Sequence, residues 1–358
     1  MTGNQFCPGD WNLFNDSLKS RLEVDLYKFY STYQPIYMWL SLCLASAGFL
    51  ANILHLVVLS QPSMRCTSVN RLLLVVCVSD LGTMTFYLFY WVWSRLMRSN
   101  DWCHPGNTSL EMHLLLAYAF TTIYLHSNSV WLIVLVALVR VMSVRSMSTR
   151  SFWQTTKSSS WLTLASFGFV LLLNVPVFLV HHITEEQANP ACANHSDNTV
   201  RYTVSLLDKS QGCHTLKVYL WTSALLCKIV PCILLSSLSC SLVYSLCSRR
   251  YRRQRMRAQS SALLRVQSKA RRAAETRERT TTMAVVAVVL TFVSTELPQG
   301  MATLLSAMYT KDFYFLIFSY IGDLFDLLSL VNCCVTFPIY CLTSSAYRET
   351  FAKVFCLR

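Results

Sequence analysis

Leu110 to Val141 reads LEMHLLLAYAFTTIYLHSNSVWLIVLVALVRV, an apolar run broken only by Glu111, His113, His126 and Arg140 among its charged and imidazole side chains. A helix rises about 1.5 Å per residue, so roughly 20 apolar residues cross a hydrocarbon core about 30 Å thick. This stretch is long enough, and too apolar for a surface helix. Six further runs of the same kind flank it: Pro35 to Leu59, Val69 to Trp93, Trp161 to Val180, Leu216 to Cys247, Thr281 to Met308 and Tyr314 to Leu342. Lipid leaves no backbone polar group free to go unpaired, so each run is predicted as a helix. The expected fold is all-α, a seven-transmembrane helix bundle.

The segments between the runs give the orientation. The 358 residues are 53% hydrophobic and only 14% charged, with a formal net charge of +13. Residues 249–279 hold twelve of the Lys and Arg against Glu275 and Glu278. Lying between two apolar spans, this run points to the cytoplasmic face of a membrane rather than to nucleic acid. Three glycosylation triplets, at Asn15, Asn107 and Asn194, fall in the segments that alternate with the arginine-rich ones. The expected organisation is an extracellular tail over 1–34, a membrane domain over 35–342 with a basic third cytoplasmic loop at 248–280, and a cytoplasmic amphipathic helix and tail over 343–358. The expected location is the plasma membrane, multi-pass, with the N-terminus outside. Residues 1–32 carry no compact apolar core with a cleavage site, so the first span is expected to act as its own insertion signal. Cys7, Cys103, Cys192 and Cys213 fall on the outer, oxidising side, where four cysteines allow three full pairings.

Enzyme chemistry finds no foothold. There is no glycine-rich phosphate loop and no His-Glu-x-x-His motif, and Gly322-Asp323 is only a fragment of an intramembrane aspartyl-protease signature. A transporter would favour repeats and broken helices at mid-membrane, and neither is visible. The chain is expected not to be an enzyme.

The residues inside the spans narrow the reading. Gly48-Phe-Leu-Ala-Asn52 lies in span one, Ser79-Asp80 in span two, Arg140 at the inner end of span three, Pro231 in span five, Pro298 in span six and Asn332 to Tyr340 in span seven. This set, in this order, resembles the rhodopsin-like G-protein-coupled receptors. His126 to Arg140, Lys228-Ile-Val-Pro-Cys232 and Glu296-Leu-Pro-Gln-Gly300 look like the invertebrate FMRFamide and myosuppressin-type neuropeptide receptors and related nematode serpentine receptors. The resemblance implies a receptor for a short neuropeptide, C-terminally amidated, that activates heterotrimeric G proteins; a chemosensory or small-molecule receptor on the same fold is the alternative. It also implies arrestin and membrane lipid as partners. The chain departs from most relatives with Val139-Arg140-Val141 at the inner end of span three, and with Thr336-Phe-Pro338-Ile-Tyr340 in span seven. Leu115 stands where most relatives carry a cysteine, and the resemblance then implies a Cys103–Cys213 disulfide, with Cys7–Cys192 as a second.

An ionisable group at mid-bilayer costs at least about 2.5–3.5 kcal/mol, so each needs an account. By the resemblance Ser129 and Asn332 face Asp80, with Asn52 close by. Two readings stand: a sodium ion acting as an allosteric modulator, or a water-filled polar network. Lys228 and Glu296 are expected to meet at the cavity floor, either as a mutual buried ion pair or with Glu296 receiving a cation of the ligand. Asp323 and Asp326 share one face of span seven, with Glu111 and Asp312 near the rim, as ligand contacts or solvated charges. Thr122, His126, Gln299, Tyr124, Trp91 and Tyr320 are cavity candidates. The competing readings are interface anchors for the aromatics and a core histidine for His126.

At the inner face two readings stand for Glu278: a pair with Arg140 that holds spans three and six together until span six, which carries Pro298, moves outward, or an acid that only offsets charge within a run of arginines. A groove would then open for a G-protein helix, floored by Arg140, Tyr244 and Tyr340. Ser344 to Phe355 reads as an amphipathic helix on the inner surface, and Cys356 as a lipidation site.

Overall fold

The computed structural model describes residues 13–97, 108–145, 153, 155–187, 200–206, 212–258 and 267–355. Among the described residues, seven helical segments are long and apolar enough to cross a membrane. In chain order the elements are α1 (Asp16–Leu59), α2 (Ser68–Met97), α3 (Ser109–Arg145), α4 (Thr156–Val180), β1 (His181–Gln187), β2 (Val200–Leu206), α5 (Gly212–Thr222), α6 (Val230–Ala258), α7 (Gln267–Met308), α8 (Ser319–Thr343) and α9 (Ser345–Val354). A wider π-helical turn over Ser223–Ile229 joins α5 to α6 as span five, and another over Thr310–Phe318 opens span seven before α8.

Span three is the axis of the bundle: 67% of its most apolar window is buried, against 28% for span four. The main apolar cluster sits in the inner half, where Leu132, Val136 and Val139 of α3 meet Leu73 and Val76 of α2, Phe292 of α7, Tyr340 of α8 and Tyr347 of α9. In lipid such contacts gain from close packing rather than from leaving water, so small residues matter where helices approach. Gly48 is one: a Cβ there would lie 2.6 Å from Cys334 Sγ and 2.7 Å from Met84 Cε. Outward-facing apolar side chains such as Trp161, Leu172, Ile233 and Leu342 are exposed for lipid to cover.

Two features depart from the sequence reading. Helix α1 begins at Asp16 rather than near Pro35, because the polar stretch 16–34 continues the helix through Pro35. Its outer end packs on span seven: the Tyr33 hydroxyl donates to the Tyr320 carbonyl, and Lys19 pairs with Asp312 at 2.8 Å. The second is an antiparallel hairpin in the outer loop between spans four and five, with His181 opposite Leu206 and Gln187 opposite Val200. On it the exposed Tyr202 hydroxyl reaches Glu185 at 3.3 Å, and that carboxylate pushes the phenol above its ordinary range.

The helix expected over Ser344 to Phe355 is present as α9. Ser344 caps it by accepting from the Tyr347 amide, 3.3 Å away. Tyr347 is buried and meets Nδ1 of His55 at 2.8 Å. Burial pushes its phenol well above the usual range, so it keeps its proton.

Candidate functional site

Lys228, buried in the π-turn of span five, reaches across to span six, its Nζ 2.6 Å from Glu296 Oε2. Two backbone features allow this. Pro231 has no N–H to donate to the turn before it, and the π register of that turn widens the helix there. Gly300 removes the obstacle on the facing helix, since a Cβ there would stand 2.9 Å from Lys228 Cβ. The glycine of the Glu-Leu-Pro-Gln-Gly motif is thus a condition for the ion pair.

Glu296 is 1% exposed and has three partners. Oε2 takes Lys228, while Oε1 takes His126 Nε2 at 2.9 Å and the Asn332 side-chain amide. Lys228 also donates to Gln299 Oε1 at 2.9 Å, and Ser329 reaches the same oxygen at 3.3 Å. Thr295 donates to Asn332 Oδ1. One carboxylate therefore ties spans three, five, six and seven together.

Above this cluster lies a cavity of about 330 Å3. Of the sequence candidates, Thr122, His126, Lys228, Gln299 and Asp326 line it. Asp326 is exposed and has no hydrogen-bond or ion-pair partner among the described residues. Tyr87, Tyr118, Tyr219, Tyr314 and Phe318 complete an aromatic wall, with Asn174 and Ser329 as polar members. These aromatics escaped the sequence reading because a tyrosine on an apolar helix looks the same whether it faces lipid, the core or a cavity.

Other candidates lie elsewhere. Trp91 packs against Trp39 at 6.2 Å. The Tyr124 hydroxyl donates to the Phe167 carbonyl at 3.1 Å, and Tyr320 accepts from Tyr33. Asp323 is half-buried, one turn above Asp326, and does not line the cavity. Glu111 closes the start of α3 by accepting from the Thr108 amide at 2.6 Å while Thr108 Oγ1 accepts from the Glu111 amide at 3.3 Å. Asp312 is no solvated rim charge: it is 1% exposed and holds Lys19 and the Leu13 and Phe14 amides.

The group expected around Asp80 is only half assembled. Ser129 donates to Asp80 Oδ1 at 2.7 Å. Asn332 is instead committed to the neighbouring helix, its amide donating to Glu296 and its side-chain oxygen accepting from Thr295. Asn52 donates to the carbonyls of Gly48 at 2.9 Å and Cys333 at 2.8 Å. Asp80 Oδ2 is buried with no hydrogen-bond partner among the described residues, and the Cys333 thiol stands beside the carboxylate. A sodium ion would find there one carboxylate and the Ser129 hydroxyl, a partial fit to the four-residue set.

At the inner face Tyr340 is buried beside Arg140. Tyr244 is 74% exposed on the outside of span five and does not floor a groove. Pro298 lies within α7 on an exposed face. Glu278 belongs to α7, but its side chain, like Asn107, Asn194, Cys7, Cys103, Cys192 and Cys356, lies outside what is described. Asn15 is exposed at the start of α1. Cys213 is disulfide-bonded, with its partner outside the described residues.

Comparison with known proteins agrees with this geometry. Residues 39–358 match the family model described as the serpentine type seven-transmembrane GPCR chemoreceptor Srw. The chain is 32% identical over 355 residues to the G-protein coupled receptor dmsr-1 of Caenorhabditis elegans, covering 91% of this chain and 69% of that one. Its fold superposes on crystalline squid rhodopsin with a TM-score of 0.66 at 12% identity, over 97% of this chain and 87% of the other.

Proposed function

This chain belongs to the Srw family of serpentine seven-transmembrane G-protein-coupled receptors, and on that premise we propose that its ligand is a short, C-terminally amidated peptide bearing a cationic side chain. The observation that carries this reading is the exposed, unpartnered Asp326 carboxylate in an aromatic-walled cavity. Glu296, the other acid of the region, is already held by three partners and leaves no room for a ligand cation. A guanidinium fits a carboxylate with two parallel bonds and stacks on tyrosine faces. The amide groups of Gln299 and Asn174 offer a donor and an acceptor to a terminal amide. At about 330 Å3 the cavity is at the small end for ligand sites, so it takes the end of a peptide while the rest lies toward the outer loops.

The cavity floor supplies a route to the inner face. A ligand that touches Lys228 or Gln299 repartners the groups around Glu296 and so biases the packing of spans five, six and seven. A heterotrimeric G protein, and afterwards arrestin, would engage the inner face beside Arg140 and Tyr340. The N-terminus lies outside the plasma membrane in this reading, Cys213 pairs with Cys103, and Cys356 carries a lipid.

The small cavity also suits the second reading, a small cationic chemical signal. Both are tested on cells expressing the receptor with a G-protein dissociation readout. Amidated peptides ending in arginine and an aromatic residue are expected to act, and their isosteric citrulline counterparts to lose potency. Equal potency of the two would refute the Asp326 reading. A response to simple aromatic amines and to no peptide would favour the small-molecule alternative.

A further inference from the structure

The lipid-facing side of spans two and four carries a groove of about 590 Å3 at its cytoplasmic end, and no acidic residue lines it. Its polar end is formed by Arg65, in the turn before α2, by Arg71 in the first turn of α2 and by Ser160 just past the first turn of α4. Its deeper wall, one turn further into the membrane, is apolar: Leu74, Leu164 and Phe167 line it, and Leu164 is 63% exposed. Arg65 is exposed, and its guanidinium makes no hydrogen bond or ion pair with any described residue. The first turns of both helices also lack an acid. Helix N-termini ordinarily favour negative charge, so the positive ends of α2 and α4 add to the two arginines rather than offset them.

The geometry points to a site for one anionic glycerophospholipid of the inner leaflet. Its phosphate sits at the exposed Arg65 guanidinium, with the charge of Arg71 beside it, and an acyl chain lies along Leu74, Leu164 and Phe167. A soluble phosphate could use the polar end alone; the apolar wall and its place at the start of two spans are what select a lipid. The site is separate from the ligand cavity and from the basic third loop. Bound there, the lipid bridges the first turns of α2 and α4 and stabilises the folded receptor by mass action.

The test uses the full-length receptor in phosphatidylcholine nanodiscs containing a minority of phosphatidylserine. Native mass spectrometry reads the retained lipid, and thermal unfolding reads the stabilisation. Wild type is expected to retain one phosphatidylserine in preference to phosphatidylcholine. Arg65→Gln and Arg71→Gln should each cut that preference by about fivefold, the effect of one cation near an anionic surface. Leu164→Trp, which fills the wall and spares both arginines, should also lower retention. Neutralising Arg252, Arg253, Arg255 and Arg257 in the third loop should leave it in place. Arg65→Gln changes an exposed side chain, so its unfolding temperature in pure phosphatidylcholine should equal that of wild type and exclude misfolding. Undiminished retention in the Arg65→Gln, Arg71→Gln double variant would overturn the proposal, as would loss in the loop variant alone. Competition by soluble glycerophosphoserine as strong as by the intact lipid would overturn the lipid assignment.

Discussion

Glu296 and Asp80 are equally buried, each 1% exposed, yet they are treated in opposite ways. Glu296 has a lysine, a histidine and an amide on its two oxygens. Asp80 has a serine on one oxygen and the Cys333 thiol beside the carboxylate, while Oδ2 has no hydrogen-bond partner among the described residues. A buried charge is costly unless it is paired and hydrogen-bonded, so the first carboxylate is a structural tie between helices and the second marks a place left open. Asp326 is a third case: exposed to the cavity, with no hydrogen-bond or ion-pair partner among the described residues, and in the proposed reading matched by the ligand. How fully an acid is matched within the chain separates the roles better than its burial.

Glu296→Gln puts the largest strain on this comparison. It strands Lys228 in the bundle, and breaking one partner of a buried pair typically costs about 3–5 kcal/mol. Surface expression and the unfolding temperature of the purified receptor should fall sharply. Adding Lys228→Met should recover much of the loss, since a neutral side chain of similar length needs no partner. Additive losses in the double variant would mean that the two residues do not depend on each other.

Asp326→Asn should do the reverse, leaving folding untouched and removing function. Truncating one side of a ligand ion pair costs about 2 kcal/mol or more, roughly thirtyfold in potency toward a cationic peptide. Dose–response curves on cells with matched surface expression give the measurement. An unchanged potency for cationic peptides, with loss for neutral ones, would move the ligand cation away from span seven.

A smaller effect is expected at the outer rim, where Lys19 pairs with Asp312 and the Leu13 and Phe14 amides also donate to that carboxylate. Lys19→Met leaves two donors in place, and the lysine side chain is 22% exposed, so the loss should be only about 1 kcal/mol. Limited proteolysis should then nick the segment before α1 faster than in wild type. Identical digestion would mean that the amide contacts alone hold it.

These sites differ in how far the sequence revealed them. The seven spans were legible because apolar length is a one-dimensional property. The Lys228–Glu296 pair was legible only through the family resemblance, which sets the two positions on facing spans. The hold of Asn332 on Glu296 was not, because it depends on the rotation of α8 about its axis, which moves the amide from one acid to the other. The helical reach of α1 back to Asp16 was hidden by the charged residues of 16–34, which read as a tail until Asp312 is seen beneath them.

The smallest expected change is at Asp80, and it bears most directly on the contrast with Glu296. Asp80→Asn keeps an oxygen for Ser129 and removes a charge that is only half matched, so stability in sodium-free buffer should change by less than about 1 kcal/mol or rise. The same carboxylate-to-amide change at Glu296 should unfold the receptor. If the open oxygen receives a cation, sodium should raise the unfolding temperature of wild type and leave the Asp80→Asn variant unmoved, with potassium at equal ionic strength as the control. A response of both proteins to both salts would be general screening, and Asp80 would then belong to a hydrated polar network. A steep loss of stability in Asp80→Asn without sodium would break the comparison itself, because the open oxygen would then have a partner inside the chain.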